Sequence, residues 1–370
     1  MRDLDQIHAR FSAVLARHVG AKDGPVGIAV SGGSDSLALL LLAYRWSLET
    51  GTGLIAFTVD HGLRPEAASE AAHVADICKR LGVTHQTLRW QNPKGTQAAA
   101  RRGRHALLAE ALRAAGGRFL LTGHTQGDQA ETFLIRARAG SGWYGLAGMT
   151  EIAVSPVWPE GRGIQIVRPL LDVQRSELRK LVSDAGWDWI DDPSNQDAKY
   201  ERVRVRALLT ENDELRKSAL RSQAQLSALR ANSDRILAAW LRAHVSTDAH
   251  GLITSDMQAL HPSLYSRALS LLIQAVSGSE RSPRGEGLAR IAEAIRSGAP
   301  MPGQTLGGAW LRRKGEKLLI ASDPGMVGKA CFVEERLIAF AAALGGPQFA
   351  DKKTCQERES FFRVKAPMYD

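Results

Sequence analysis

Val30-Ser31-Gly32-Gly33-Ser34-Asp35-Ser36 separates an apolar, strand-like run, Val26 to Val30, from an apolar helical one, Leu37 to Tyr44. A loop of this composition is built to hold pyrophosphate. Gly32 and Gly33 lack the Cβ atoms that would keep an anion from the backbone, and glycine reaches the φ values that turn successive N–H groups inward. Ser31, Ser34 and Ser36 add hydroxyl donors, and the helix that starts here aims its partial positive end at the same place. Asp35 is the odd member, because a carboxylate beside phosphates is repelled unless a divalent cation lies between them. The loop therefore points to ATP with Mg2+. A Ser/Gly turn between strand and helix is also a common structural device, and SGG alone does not separate the two readings; the full run in this setting favours phosphate. No Lys followed by Ser or Thr comes after a second glycine, and the GxGxxG spacing is missing, so neither a Walker loop nor a dinucleotide loop is present.

Working outward, Leu54 to Val59, Gln86 to Trp90 and Phe119 to Thr122 repeat the short strand-like pattern, with helical stretches between them. Such alternation predicts an α/β fold with a doubly wound parallel sheet, whose ligands bind beyond the carboxyl ends of the strands. The polar motifs obey that rule: SGGSDS ends the first strand, Asp60-His61-Gly62 the second, and Gly123-His124 the fourth. SGGSDS resembles the phosphate loop of the PP-loop ATP pyrophosphatases. That resemblance implies that Ser31, Gly32, Gly33, Ser34, Asp35 and Ser36 grip the pyrophosphate end of ATP while adenylate is transferred to an oxygen.

Beyond about residue 210 the strands give way to helical spacing: Leu226, Leu229, Ile236, Trp240 and Leu241, then Leu264, Ala268, Leu271, Leu272 and Val276, then Leu288, Ile291 and Ile295. Arg216, Arg221, Arg230, Arg235 and Arg242 occupy polar positions between them. A solvated helix face is the default for such charges, and contact with an RNA backbone the sharper alternative. Thr305 to Ser322 reads as a hairpin turning at Lys314-Gly315-Glu316, which must pack on something else because two strands alone are marginal. The expected division is a catalytic domain over 1–212, a smaller all-helical domain over 213–300 suited to RNA, a β hairpin over 301–323, and a partly disordered tail over 324–370 carrying an Ala-rich helix near Arg336 to Leu344.

The chain has 370 residues, a formal charge of +9 and more Arg than Lys. That excess suits a polyanion, and guanidinium groups suit RNA. A genome rich in GC would explain the Arg preference but not the net charge. No apolar stretch is long enough to span a bilayer and MRDLDQIHARF is not a signal peptide, so the cytoplasm is expected. Cys78, Cys331 and Cys355 lie far apart with no CxxC, which argues against disulfides, structural zinc and iron–sulfur clusters.

Three further runs carry charge toward the crevice. Thr58 to Arg64 (TVDHGLR) places Asp60 and His61 where adenosine is expected, although an Asp-His pair after a strand is often only a turn. In ARRGRH (100–105), Arg101 and Arg104 share a helical face and can stabilise phosphate charge, unless both are merely solvated. In GHTQGDQAET (123–132), His124 ends a strand, while Asp128 and Glu131 share a face of the next helix. Acids there can simply offset the helix dipole. With Asp35 opposite, Asp35 and Asp128 are candidates for Mg2+, and Asp128 and Glu131 for a cationic co-substrate.

Together these runs resemble the tRNA(Ile)-lysidine synthetase family, whose pattern contains SGGxDS, VDHGLR, ARxxRY, GHxxDDQxET and GSGxxGLxGM. The chain has SGGSDS, VDHGLR, ARRGRH, GHTQGDQAET and GSGWYGLAGM. Arg168 to Leu171 look like the family's RPLL, Asp192 to Asn195 like its D(P)SN, and Arg202, Arg204 and Arg206 like its RNRIR. The resemblance implies that ATP adenylates O2 of the wobble cytidine of a CAU-anticodon isoleucine tRNA, and that L-lysine then displaces AMP to give lysidine. By the same resemblance Asp35, Arg101, Arg104, His124, Asp128 and Glu131 are the candidate catalytic residues, with His124 a contact to phosphate or cytosine. Gly127 stands where the family has the first Asp of DDQ, His105 where it has Tyr, Ala139 where it has Arg and Val203 where it has Asn. Another PP-loop enzyme such as a tRNA thiolase, and a non-catalytic tRNA-binding relative, are the alternatives; thiolation usually employs paired cysteines. Oligomeric state, monomer or homodimer, is left open. Charge reversal at Arg230 and Arg235 is expected to weaken tRNA binding and to leave ATP binding intact, as a filter-binding titration at physiological salt would measure.

Overall fold

The computed structural model describes residues 2–20, 23–60, 67–90, 97–191, 197–323 and 332–345. They form two compact units, one of residues up to 155 with 163–230, the other of 156–162 with the residues from 231 onward. The first unit opens with α1 (Arg2–His18), β1 (Val26–Ala29), α2 (Ser34–Thr50), β2 (Leu54–Asp60), α3 (Ala67–Leu81), β3 (Thr84–Arg89) and α4 (Gln97–Ala114). It continues with β4 (Phe119–Leu121), α5 (Gln126–Arg138), α6 (Trp143–Leu146), β5 (Ile152–Val154), β6 (Gln165–Val167), α7 (Arg175–Asp184) and α8 (Glu201–Glu211). α9 (Asp213–His244) runs on into the second unit.

The strand order is β3-β2-β1-β4-β6-β5, parallel throughout except for β5 at the edge. The chain builds outward from β1 to β3 and then returns to the other side of β1 with β4. This reversal opens a crevice beyond the carboxyl ends of β1 and β4, where ligands bind in such sheets. The expected doubly wound sheet is present. β5 and β6, three residues each, are too short to show a periodic pattern in the sequence.

α2 is apolar on nearly all sides because it is buried on nearly all sides: Leu37, Leu39, Leu40 and Leu42 are inaccessible to solvent. Each such side chain contributes roughly 2 kcal/mol by leaving water. The helix stops at Gly51, whose left-handed φ of 71° lets its N–H reach Ser47 O at 2.8 Å. Phe11, Leu15, Leu39, Val74, Ile77 and Leu178 form the core on one face of the sheet, drawn from α1, α2, α3 and α7. On the other face Leu108 and Leu112 of α4 pack with Phe57, Leu120 and Ile166.

The second unit holds β7 (Val245–Thr247), β8 (Ile253–Asp256), α10 (Tyr265–Ser277), α11 (Gly285–Ser297), β9 (Gln304–Leu306), β10 (Ala309–Lys314), β11 (Lys317–Ser322) and α12 (Val333–Gly345). The hairpin is β10 and β11, turning at Gly315 with φ 59°, and it lies inside a five-stranded antiparallel sheet ordered β7-β8-β11-β10-β9. The segment expected to be all helical thus supplies two strands, again too short to be read. Leu229 and Ile236 were expected in the apolar stripe of α9 but stand about half exposed, at 50% and 53%. Leu237, Trp240 and Leu241 are the buried positions. Arg336 on α12 donates to Gln274 O and to Ser279 O (2.8 Å), with its guanidinium 4.7 Å from the ring centre of Trp158. It thereby ties 156–162 and α12 to the carboxyl end of α10. No helix among the described residues is long and apolar enough to cross a membrane.

The turn into β4 leaves no room for a side chain at Gly117, where a Cβ would lie 2.3 Å from Pro25 O and 2.3 Å from Leu112 Cδ1. Because one of these atoms is backbone, Gly117→Ala is expected to destabilise the first unit by about 2–3 kcal/mol in urea denaturation.

Candidate active site

The loop after β1 is shaped by its own serines. Ser36 Oγ donates to Gly33 O (2.9 Å) and accepts from Ser31 N (3.1 Å), which draws the loop into a ring at the start of α2. Gly32 has φ 83° and carries its carbonyl to Ile190 N at 3.0 Å; a Cβ there would sit 2.7 Å from Ile190 Cδ1. No side chain caps the start of α2 at Gly33. Ser36 N is bonded to Gly33 O at 3.1 Å, which leaves the N–H groups of Ser34 and Asp35 as the first-turn donors for an anion. Gly123, after β4, crosses this loop so closely that a Cβ would lie 3.1 Å from Asp35 O.

Asp35, Asp128 and Glu131 do converge, but on arginines. Arg175, the first residue of α7, donates from Nε to Asp35 Oδ2 at 2.8 Å and lies 3.9 Å from Asp128 Oδ2. Arg202 on α8 donates to Asp128 Oδ1 (2.7 Å) and Glu131 Oε2 (2.6 Å), and Arg206 donates to Glu131 Oε1 (2.6 Å). Burial raises the Asp35 pKa despite the pull of Arg175. Burial acts to raise that of Asp128 too, but Arg202 and the Thr125 N–H bring it below the usual range. Glu131 is 2% exposed, so its two guanidiniums satisfy a charge that would otherwise be costly to bury.

This pairing bears on the expected Mg2+ pair of Asp35 and Asp128. Asp128 is engaged at both oxygens: Oδ2 accepts from Thr125 N (2.8 Å) and Thr125 Oγ1 (3.0 Å), holding the first turn of α5, and Oδ1 takes Arg202. Asp35 keeps one oxygen, Oδ1, which among the described residues has only the Ser34 hydroxyl near it, at 3.5 Å. Among the described residues no group of three His, Cys, Asp or Glu side chains is placed to hold a metal. In this arrangement Asp35 has an oxygen open to a cation completed by phosphate oxygens, and Asp128 would join it by giving up its bond to Arg202.

Arg101 and Arg104 behave oppositely. No carboxylate among the described residues pairs with either. The pKa of each is lowered, first by burial and then by like charge, from Arg202 on Arg101 and from Arg101 and Arg202 on Arg104. His124 follows β4 with Nδ1 3.0 Å from Thr122 Oγ1, and burial and Arg168 lower its pKa. It is therefore a neutral hydrogen-bonding group and a weak base at neutral pH. Asp60 ends β2 and its carbonyl accepts from Trp90 N at 3.0 Å. His61 to Arg64 and Asp192 to Asn195 lie outside the described residues.

A profile of the PP-loop domain family matches residues 4–212. The tRNA(Ile)-lysidine synthase of Hyphomonas neptunium is 45% identical over 347 residues, 94% of each chain. The chain belongs to the tRNA(Ile)-lysidine synthase family. The enzymes of that name from Caulobacter vibrioides (36% identical, covering 87% of this chain and 72% of the relative) and Brucella melitensis (40%, covering 78% and 66%) are also similar. Among solved structures, the U34-tRNA thiolase NcsA from Methanococcus maripaludis shares the fold, with a TM-score of 0.50 and 17% identity over 61% of this chain and 79% of that one.

The lysidine synthase stretch GSGWYGLAGM is held as a backbone template. Gln129 pairs with both polar groups of Met149, donating to its carbonyl (2.9 Å) and accepting from its N–H (2.8 Å). Gln223 donates to Ala147 O (2.8 Å), while Arg136 (3.2 Å) and Arg230 (2.8 Å) both donate to Gly148 O. Gly148, at φ 78°, has no space for a Cβ, which would meet Gln129 Oε1 at 2.6 Å. Arg230, expected on a solvated face, is 6% exposed and structural. Gln223 and Arg230 are seven residues apart and so share a face of α9, which here is the packed face. Nothing in the amino-acid sequence marks Arg175, and Arg168, Arg202 and Arg206 are marked only by family likeness. A lone Arg at a helix start carries no signal for its partner.

Burial and neighbouring guanidiniums hold His105 near a pKa of about 3 and lower that of His124, whereas both take 6.5 as their ordinary value. Between these limits the unfolded chain binds protons that the native protein does not. Stability is therefore expected to fall as pH drops from about 6.5, by about 1.4 kcal/mol per pH unit for each histidine. His105→Gln is expected to lower that slope by one proton equivalent in denaturation curves taken across the window.

Proposed function

We propose that the chain joins the ε-amine of L-lysine to C2 of the wobble cytidine in an isoleucine tRNA with a CAU anticodon, at the expense of ATP. The observation that carries the reading is the segregation of charge within one crevice. Two carboxylates, Asp128 and Glu131, lie on one side for a cationic amine, with Asp35 beside them for Mg2+, and Arg101 and Arg104 stand without acidic partners among the described residues, for phosphate. The similarity to lysidine synthases along nearly the whole chain supports the choice of acceptor.

In this reading the uncapped start of α2 and Ser31, Gly32, Gly33, Ser34 and Ser36 receive the pyrophosphate end of ATP, with adenosine toward Asp60 and His61. Cytidine O2 attacks the α-phosphorus, the bond to the bridging oxygen breaks, and pyrophosphate leaves into the loop. Arg101 and Arg104 offset the charge that develops. Mg2+ arriving with ATP would be held by Asp35 and phosphate oxygens and would supply further charge neutralisation. Lysine Nζ, having lost a proton, attacks C2; the C2–O2 bond breaks and AMP departs with O2. Asp128 and Glu131 guide the ammonium in, in competition with Arg202 and Arg206. His124 orients base or phosphate as a neutral donor or acceptor. The 213–300 segment contacts tRNA through exposed arginines of α9, Arg221 and Arg235, and the cytoplasm is the expected setting. The buried thiol of Cys78, pushed up to about 11, is unsuited to sulfur transfer.

Incubation of the full chain with ATP, radiolabelled lysine and total tRNA tests the reading. Label in one isoleucine tRNA is the expected result, and ATP cleavage without label would refute it. Arg235→Glu is expected to weaken tRNA binding and flatten its salt dependence by about one unit while ATP binding is unchanged. Arg230→Glu, by contrast, is expected to unfold the Gly148 network and lower the melting temperature. At Gly127 a Cβ would meet only Thr125 Oγ1, at 3.7 Å. Gly127→Asp is therefore expected to fold, to gain about 0.5–1 kcal/mol from the helix dipole, and to lower KM for lysine.

A further inference from the structure

Two buried polar groups beside the crevice have no hydrogen-bond partner among the described residues: the whole imidazole of His105, at both Nδ1 and Nε2, and Nε of Arg168. His105 is 5% exposed. Buried donors and acceptors are almost always satisfied, and an orphan costs on the order of 1–3 kcal/mol. These two orphans act on each other electrostatically, and their surroundings are uniformly basic. Arg101, Arg104, Arg168 and neutral His124 face His105, while Arg101, Arg136 and Arg230 face Arg168. Among the described residues no carboxylate is a main contributor at either site. Arg168 follows β6 directly and is anchored by Nη1 on Thr150 O at 3.0 Å, which leaves its Nε edge unsatisfied. Arg101, Arg104 and His105 come from the first half of α4. The pyrophosphate loop, after β1, is a separate anion site with its own donors.

We propose that Arg168 and His105 complete, with Arg101 and Arg104, a second anion site that takes a single phosphate mono- or diester and is distinct from the pyrophosphate loop. Arg168 presents Nε–H to a phosphate oxygen, and the neutral imidazole of His105 donates its one N–H. The assignment deepens the proposed function and rests on it for the two sources of such a phosphate. One is the α-phosphate that becomes AMP; the other is the phosphodiester flanking the wobble nucleotide. The bound anion offsets the guanidinium charges around His105 and so makes the imidazole easier to protonate.

The test uses the full chain labelled with 15N-histidine, with His105→Gln identifying the His105 signals. It is titrated separately with AMP and with a CAU anticodon stem-loop RNA. One of the two is expected to shift both ring nitrogens of His105 and to raise its pKa, and which one does so names the source. Arg168→Met is expected to weaken that ligand about tenfold and to leave the other unchanged, with Arg168→Lys intermediate because the Nε donor is lost while charge remains. If the wild-type protein binds both ligands and the His105 signals move with neither, the proposal is overturned, a measurement that does not depend on how well the variants fold. If the wild-type protein binds neither the RNA nor AMP, the functional reading itself fails.

Discussion

The chemistry of the crevice depends on one backbone crossing. The chain leaving β4 passes over the loop leaving β1 with so little clearance that a methyl group at Gly123 would lie 3.1 Å from Asp35 O and 3.2 Å from its carbonyl carbon. That contact locks two loops far apart in sequence into one surface. It sets the start of α2, which offers N–H groups to an anion, against the start of α5, which offers Asp128 and Glu131. Adjacent parallel strands impose the proximity, because β1 and β4 pair directly and both loops must emerge from the same edge.

Around that crossing, charge is sorted rather than mixed. On one side carboxylates and guanidiniums alternate, from Asp35 through Arg175, Asp128 and Arg202 to Glu131 and Arg206, with nearly every oxygen engaged. On the other side Arg101, Arg104 and Arg168 stand together, and among the described residues no acid pairs with Arg101 or Arg104. Like charges brought together and partly buried raise the energy of the protein itself, and that energy is recovered when an anion binds. A paired chain of charges is the opposite device, stable alone and reluctant to admit a competitor. The unpaired half suits phosphate, whereas a cationic amine would reach Asp128 and Glu131 by displacing Arg202 or Arg206.

The glycine-rich stretch 140–149 shows a third use of polar groups. Gln129, Arg136, Gln223 and Arg230 from two helices bind the carbonyls of Gly145, Ala147, Gly148 and Met149 and the N–H of Met149, so that the stretch joins α5 to α9. Arg136 and Arg230 thus carry structure, although by residue type they match the arginines that face the crevice. Their bonds to Gly148 O also add positive charge near Arg168, linking the joint to the basic side of the site.

The phosphate loop was legible in the amino-acid sequence because its constraints are local. Gly32 needs its left-handed φ, Ser36 folds back on Gly33 within three residues, and the strand and helix on either side show their own periodicity. The four longer or more apolar strands were legible for the same reason, whereas β5 to β9, of three or four residues each, were not. The placement of Asp35, Asp128 and Glu131 in one crevice followed from the rule for strand ends in parallel sheets. What they touch did not. That Arg175 would stand between Asp35 and Asp128, that Asp128 would spend an oxygen on Thr125, and that Arg230 would turn inward while Arg235 stayed outside were decided only by tertiary structure. Backbone geometry is set by neighbours along the chain, but a charge is partnered by whichever group the packing of distant elements brings within about 3 Å.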